Sequence, residues 1–368
     1  MNRRERTQAF VTAIWEWYSV HKRTLPWRDL PDTDPVARAY KVLVSEIMLQ
    51  QTQVPRVIVK YGEFLERFPT IEDLAGASSK EVLIAWRGMG YNRRALRLRD
   101  AAASIVGVSN DSLLRNFVEP SARIRSNEVT KTRSAFPTSI DDLTSIPGIG
   151  RYTAAAIRNF AFGIPTPCLD TNIRRILHRT FVGPENADGS WSKDDEYLLQ
   201  LADEVLEEAT KGTKETKVSL KKSSVASVPF VPFVASDWHA ALMDFGALVH
   251  TKRNPKWEMC PLTKKGIMKT TKKNYELRMM NYGNRKGDSK KSEPGRHVGS
   301  TFIPNRIFRG RVIEALRDAP TGLTLHGIGK QVAIDWDPGE HREWLQIILK
   351  QLTREAMLGV RRGRYMLG

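Results

Sequence analysis

A chain of 368 residues with 41% hydrophobic content is long enough for two or three domains and apolar enough to bury a core, which excludes wholesale disorder. Lys and Arg number 58 against 41 Asp and Glu, a formal net charge of +17, and an excess of that size favours a polyanionic partner because each phosphate neutralised releases counterions. Cys168 and Cys260, the two cysteines, give no disulfide framework and point to a reducing compartment. No stretch approaches the ~20 apolar residues that span a bilayer, so an intracellular protein with no membrane partner is expected.

The chain opens on an amphipathic stretch (Phe10, Val11, Ile14, Trp15, Trp17, Tyr18) that does not read as a signal peptide. From residue 7 to 205 apolar residues recur at three- and four-residue spacing, as in Leu198, Leu201 and Val205. Period-two alternation is scarce, so this region predicts helices alone. Turns fall at Pro26, Pro69, Gly88-Met89-Gly90, Pro137 and Pro147-Gly148-Ile149-Gly150. Residues 107–135 and 210–232 read as inserts, the second with the composition of a flexible linker. Residues 263–301 predict a poorly ordered basic linker. Periodicity returns over 302–368: Ile307, Val312, Ile313 and Leu316 predict one helix, Leu345, Ile347, Ile348 and Leu352 another, and Met357 to Leu367 a short β-hairpin with a glycine turn. That order predicts a small winged-helix-like α+β domain; a helical cap without DNA contact has the same pattern.

Three features carry chemistry. In Leu143-Thr-Ser-Ile-Pro-Gly-Ile-Gly-Arg-Tyr-Thr-Ala-Ala-Ala-Ile157 a helix ends, a Pro-Gly-Ile-Gly hairpin follows and small residues open a second helix. Gly148 and Gly150 allow positive φ, and the hairpin N–H groups with the new helix's N-terminus can hold a phosphate without reading sequence. Pro147, Gly148, Ile149, Gly150 and Arg151 are thus candidate DNA contacts; a tight helix connection is the plainer alternative. Asp170 stands where an amphipathic helix begins (Ile173, Ile176, Leu177), so backbone N–H groups and the helix's positive end are expected to keep it ionised. Taken alone it is an ordinary N-cap. Glu46, among Val44, Ile47, Met48 and Leu49, is expected to hold its proton to higher pH; taken alone it is a solvent-facing helix residue. One charged and one protonated carboxylate suit cleavage of a glycosidic bond through an oxocarbenium-like state.

These blocks, together with Leu25-Pro-Trp-Arg28, Ser45-Glu-Ile-Met-Leu-Gln-Gln-Thr-Gln-Val54, Trp86-Arg-Gly-Met-Gly-Tyr91 and Leu169-Asp-Thr-Asn172, resemble those of MutY-type adenine DNA glycosylases, in the same order over about residues 8–260. The resemblance implies an all-α, two-lobed helix-hairpin-helix fold with the active site in the cleft between lobes. It also implies a monomer acting on duplex DNA with a mispaired or damaged base. Carried onto matching positions, Glu46 would protonate adenine at N7 and help place water, Asp170 would stabilise the sugar cation, Asn172 would orient that centre and Tyr152 would line the pocket. Gln51 and Tyr91 would enter the base stack when adenine is flipped out. Arg28 would lie near the pocket, whereas Trp27 reads equally as core. The related endonuclease III type has a lysine where this chain has Tyr152; a phenol forms no Schiff base, so base removal without strong strand cleavage is expected.

The chain departs from the family twice. MutY relatives usually hold a four-iron cluster on four cysteines just after a Met-Asp-x-Gly-Ala stretch. Here Met243-Asp-Phe-Gly-Ala247 is followed by His250, Trp257, Cys260 and Gly266, so no cluster is expected, and two ligands seldom make a zinc site. Residues 302–368 are also too short and too helical for the 8-oxoguanine-sensing domain of many relatives. Two alternatives remain at this point: a thymine or uracil glycosylase acting on mismatches with guanine, and a non-catalytic DNA-binding protein.

Overall fold

The computed structural model describes residues 1–31, 34–107, 136–186, 188, 190–219, 234–283 and 293–368. In chain order, helices cover Arg3–His21, Pro35–Leu49, Val54–Arg67, Ile71–Ala75, Ser79–Ala85 and Arg93–Ile105. Ile140–Ser145, Arg151–Phe162 and Thr171–Leu177 follow, the last running into a π-helical turn, His178–Val182. Asp195–Ser219, Val234–Leu248, Pro261–Lys264 and Lys272–Gly283 come next. Residues 7–205 therefore hold helices and no strand among the described residues, as their spacing predicts. No described helix is long and apolar enough to cross a membrane.

The chain divides into two compact units, residues 1–35 with 150–288 and residues 36–149 with 289–368. In the first, helix Arg3–His21 starts at a reciprocal cap: Asn2 accepts from the Glu5 N–H, and Glu5 accepts from the Asn2 N–H. Its apolar face carries Phe10, Ile14 and Trp17 into a core with Ile173, Ile176, Leu201, Val205, Trp238 and Phe245. The Phe10 ring stands edge-on to Phe181 at 5.3 Å, and Trp17 edge-on to Phe245 at 5.1 Å. Each such ring removed from water contributes ~1.5–3 kcal/mol, so this core fixes the 171–177 helix, which carries Asp170 at its start, against the 234–248 helix.

In the second unit, helix Pro35–Leu49 is buried on nearly every face from Ala39 to Met48, as expected of a helix apolar all round. The C-terminal residues form helices Asn305–Arg317, Leu325–Val332 and Pro338–Arg354, then the hairpin Leu358–Arg361 with Arg364–Leu367. That hairpin turns at Arg362 and Gly363, both at positive φ (49° and 72°), the combination that matches strand twist. Leu323 bridges to Tyr365 and widens the small sheet. The arrangement is winged-helix-like, as expected, yet it does not stand apart. Leu83 and Leu96 join its core beside Phe308, Val312, Ile328, Leu345 and Ile348. Arg317 reaches across to donate to the Leu83 carbonyl and to Asn92, both at 3.0 Å.

Three expectations about connectors change. Residues 210–219 of the second insert continue the Asp195–Ser219 helix, because Lys and Thr tolerate a helix that the preceding apolar face already anchors; 220–233 lie outside the described residues. Of the basic linker, 261–264 and 272–283 are helical. Tyr275 explains the ordering: its ring packs on Trp257 at 5.5 Å and under Arg179 at 4.7 Å, and its hydroxyl donates to the Lys252 carbonyl at 2.6 Å. A further hairpin, Gly295–Val298 with Thr301–Pro304, starts where a linker was expected. Glycine is required at 295, since a Cβ there would lie 2.5 Å from the Ile303 carbonyl oxygen. Nearly all of the first insert, 108–135, lies outside the described residues.

Candidate active site

In the first unit, Asp170 caps helix Thr171–Leu177 as its position predicts. Its backbone is extended, and its Oδ1 accepts from the Ile173 N–H at 2.6 Å. Asn172 donates its side-chain amide to the other oxygen, Oδ2, at 2.9 Å, and Asn172 Oδ1 accepts from Arg175 at 2.6 Å. Arg175 is buried and also donates to the carbonyls of Gly246 (3.1 Å), Thr171 (3.2 Å) and His250. A relay from Arg175 through Asn172 thus fixes which way the carboxylate faces. Burial pushes the Asp170 carboxyl up, and the bonds from Ile173 and Asn172 with the Arg175 charge oppose this without cancelling it. The expected lowering is corrected here: lost hydration outweighs the cap.

Gly246 lies at the closest approach of the 234–248 helix to this relay. A Cβ there would stand 2.6 Å from the Asn172 Cβ and 3.2 Å from its Cα. Two residues earlier Asp244, fully buried, accepts both guanidinium nitrogens of Arg28 (2.7 and 2.8 Å) and Arg23 Nε at 2.7 Å. Burial raises the Asp244 carboxyl, and these bonds and charges outweigh it, holding it below the usual carboxylate range. Arg28, expected at DNA, is thus engaged within the chain; its side chain is only 8% exposed, and it pins the segment after the first helix to Asp244. Trp27 is buried core.

In the second unit, Glu46 is buried on helix Pro35–Leu49, not solvent-facing. Just past that helix Gln51 takes positive φ (56°), and Tyr91 does the same (46°) at the end of the Gly88-Met89-Gly90 turn, with 53% of its surface exposed. Non-glycine residues in this region carry strain that the surroundings must hold. Arg94 holds both loops. It is buried, donates to the carbonyls of Ile47 (2.9 Å), Met48 (3.2 Å) and Gln50, to Thr52 Oγ1 (2.9 Å) and to the Met89 carbonyl (3.3 Å), and stacks over Trp86 and Tyr91. Burial lowers its guanidinium to about 10.

Of the hairpin glycines, Gly148 alone uses positive φ (98°), which corrects the reading for Gly150: at φ −87° it N-caps helix Arg151–Phe162. Pro147 is exposed, Ile149 is buried and its N–H donates to the Ile146 carbonyl at 3.0 Å. Arg151 is exposed and Tyr152 partly buried in the first turn of that helix. Sequence reasoning missed Arg94 and Arg175, whose partners are distant carbonyls. It had Asp244 and Gly246 in hand within Met243-Asp-Phe-Gly-Ala247 and used that stretch only as a landmark.

The positions that hold a cluster in relatives do not fit one. His250 Nε2 is 3.0 Å from Cys260 Sγ, and the His250 Nδ1 has no partner among the described residues. Burial, then Arg179 and Arg175, lower the imidazole to about 3, and burial raises the Cys260 thiol. The Trp257 ring meets His250 edge-on at 5.3 Å. One thiol, one neutral imidazole and an indole are not the donor set of an iron–sulfur cluster, and no described group of three or more His, Cys, Asp or Glu could hold a metal.

Residues 44–196 match the HhH-GPD superfamily base excision DNA repair protein family. A solved thermostable thymine-DNA glycosylase superposes with TM-score 0.50 at 23% identity, covering 74% of this chain and 98% of that one, which shows a shared fold. Fold and hairpin thus define a helix-hairpin-helix base-excision glycosylase. The adenine DNA glycosylase of Mycolicibacterium smegmatis is 30% identical over 91% of this chain and 89% of its own length. That of Homo sapiens is 34% identical over 69% of this chain, which spans 38% of the human protein. The chain belongs to the adenine DNA glycosylase family: it is an N-glycosylase, and DNA is its substrate.

Proposed function

We propose that this chain, acting as a monomer without an iron–sulfur cluster, excises adenine paired with 8-oxoguanine or guanine. The adenine is turned out of the helix, since its glycosidic bond is inaccessible in the stack, and Gln51 and Tyr91 fill the gap. Glu46 delivers a proton to N7, so the base leaves neutral. Asp170 carries the charge opposite the developing sugar cation, and water adds at C1′ with loss of its proton. The observation that carries the reading is the Asp170–Asn172–Arg175 relay, a part-buried carboxylate aimed by Asn172, itself held by Arg175, which a simple helix cap does not require. Tyr152 supplies no amine, so the strand stays intact until alkali is added.

The test is a panel of duplexes with A opposite 8-oxoguanine, A opposite G, T opposite G and U opposite G, each treated with alkali after incubation. Breakage at adenine is expected. Breakage only at T or U replaces the substrate assignment with mismatched pyrimidines, and no breakage removes the catalytic reading.

A further inference from the structure

Within the second unit, a cavity of about 1220 Å3 opens where helix Asn305–Arg317 faces the loops of Gln51 and Tyr91. It exceeds the roughly 300–1,000 Å3 of a small-molecule site. Six arginines line it: Arg93, Arg94, Arg97, Arg306, Arg309 and Arg311. Its three acids are already matched, Glu355 by Arg309 and Asp318 by Arg87 (each 2.5 Å), and Glu314 by Arg317. Arg94 is taken up by backbone carbonyls, and Arg311 donates to the Val332 carbonyl at 3.0 Å. Arg93 and Arg97 remain, exposed and without an ionic partner among the described residues. Exposed Arg306 has one ion pair, to Glu293 at 2.9 Å. Arg97 also leads to the DNA hairpin, for its Cβ lies 3.4 Å from where a Gly148 side chain would begin.

A second observation concerns Gly310, in the interior of the 305–317 helix and on the cavity wall. Glycine is the poorest helix former after proline, so a packing reason is expected there. A Cβ at Gly310 would meet nothing within 4 Å. The chain itself does not require the missing side chain, so the helix surface at Gly310 is open to a strand laid against it.

We infer that this cavity is a second DNA-backbone site, in which Arg93, Arg97 and Arg306 hold duplex phosphates beside the stack-filling residues while the strand passes over the helix at Gly310. The C-terminal domain then meets DNA through its first helix. Helix 338–354, in the position that usually reads a groove, gives the cavity only Leu352. The inference rests on the glycosylase reading for the flipped nucleotide next door, but not for the charge geometry.

Anisotropy with the full-length protein and an undamaged duplex, at about 50 to 200 mM salt, tests it. Arg93→Gln/Arg97→Gln should lower the salt slope by about 2 and weaken binding roughly tenfold or more, and Arg306→Gln should lower the slope by about 1. Gly310→Leu should weaken binding without lowering the melting temperature. Lys350→Gln, which removes one charge off the cavity wall, should bind as the parent does. Parent-like slopes and affinities in all the cavity variants overturn the inference, and they leave the catalytic reading intact if adenine is still excised. Weakened binding in a protein that excises nothing supports the DNA site and removes the enzyme.

Discussion

A single methyl group at Gly246 separates a positioned active site from a helix cap that merely faces the right way. An alanine Cβ would sit 2.6 Å from the Asn172 Cβ, 3.2 Å from its Cα and 3.1 Å from Ile176 Cδ1. Carbon contacts settle near ~3.5–4.0 Å, and the first two atoms cannot rotate away, so the 171–177 and 234–248 helices must part by about an ångström. Overpacking of this kind costs ~1–3 kcal/mol, of which alanine's better helix propensity returns ~1. The net loss is about 0–2 kcal/mol, at most a few degrees in melting temperature. The larger effect falls on Asn172, which holds Asp170. A misplacement of about 1 Å near reacting groups lowers rates by ~100-fold. In Gly246→Ala, thermal melts and single-turnover excision from an A-containing duplex should show both losses, with duplex affinity little changed. An equal or higher melting temperature together with an unaltered rate would refute the reasoning, since the helices would then separate freely without disturbing the carboxylate.

Asp170→Asn should abolish turnover with duplex affinity kept or tightened; an unchanged rate removes Asp170 from the mechanism. Burial raises the Asp170 carboxyl, so the native chain keeps this proton to higher pH than the unfolded chain does. The stability tied to this group is full below the unfolded carboxylate value and lost as pH rises through the raised one. Asp170→Asn should therefore melt above the parent at neutral pH, with the difference closing in acid; a constant offset across that window would contradict the burial. Asp244→Asn should cost about 3 kcal/mol, because buried Arg28 loses its counter-charge, and chemical denaturation curves check this. Arg94→Met should weaken duplex binding and lower the melting temperature, because several carbonyls lose their donor at ~1 kcal/mol each; parent-like binding would show that the two loops hold themselves. Purified protein should show no visible iron–sulfur absorbance and no bound iron by elemental analysis.

The helices were legible because apolar spacing is local. So was the Asp170 cap, since an Asp ahead of an amphipathic run has one obvious use. The partner of Arg28 was not legible, because the carboxylate that engages it, Asp244, lies far along the chain. Asp170's carboxyl moved the opposite way from expectation because hydrogen bonds to near neighbours can be inferred from sequence, whereas loss of water depends on what tertiary packing lays over the site. Residues 272–283 read as a loose basic run because the partners that order Tyr275, namely Trp257, Arg179 and the Lys252 carbonyl, belong to other segments.

The hidden residues share one physical character. Arg175, Arg94 and Asp244 are all buried and charged, and each ties together segments that local pattern leaves unconnected. Burying a charge costs several kcal/mol before its partners repay it, so such groups are a poor way to gain stability and a good way to permit one geometry. Each stands one step behind a group assigned to chemistry or DNA: Arg175 behind Asn172 and Asp170, Arg94 behind Gln51 and Tyr91, Asp244 on the helix whose Gly246 meets Asn172. The aromatic packing of Trp257, His250 and Tyr275 is the apolar counterpart. It fills with rings the place where relatives hold metal, and it keeps the His250 carbonyl where Arg175 can donate to it. The Asp170 carboxylate is therefore held without any metal ligand, because the relay behind it ends on backbone carbonyls, and ring packing keeps that of His250 in place.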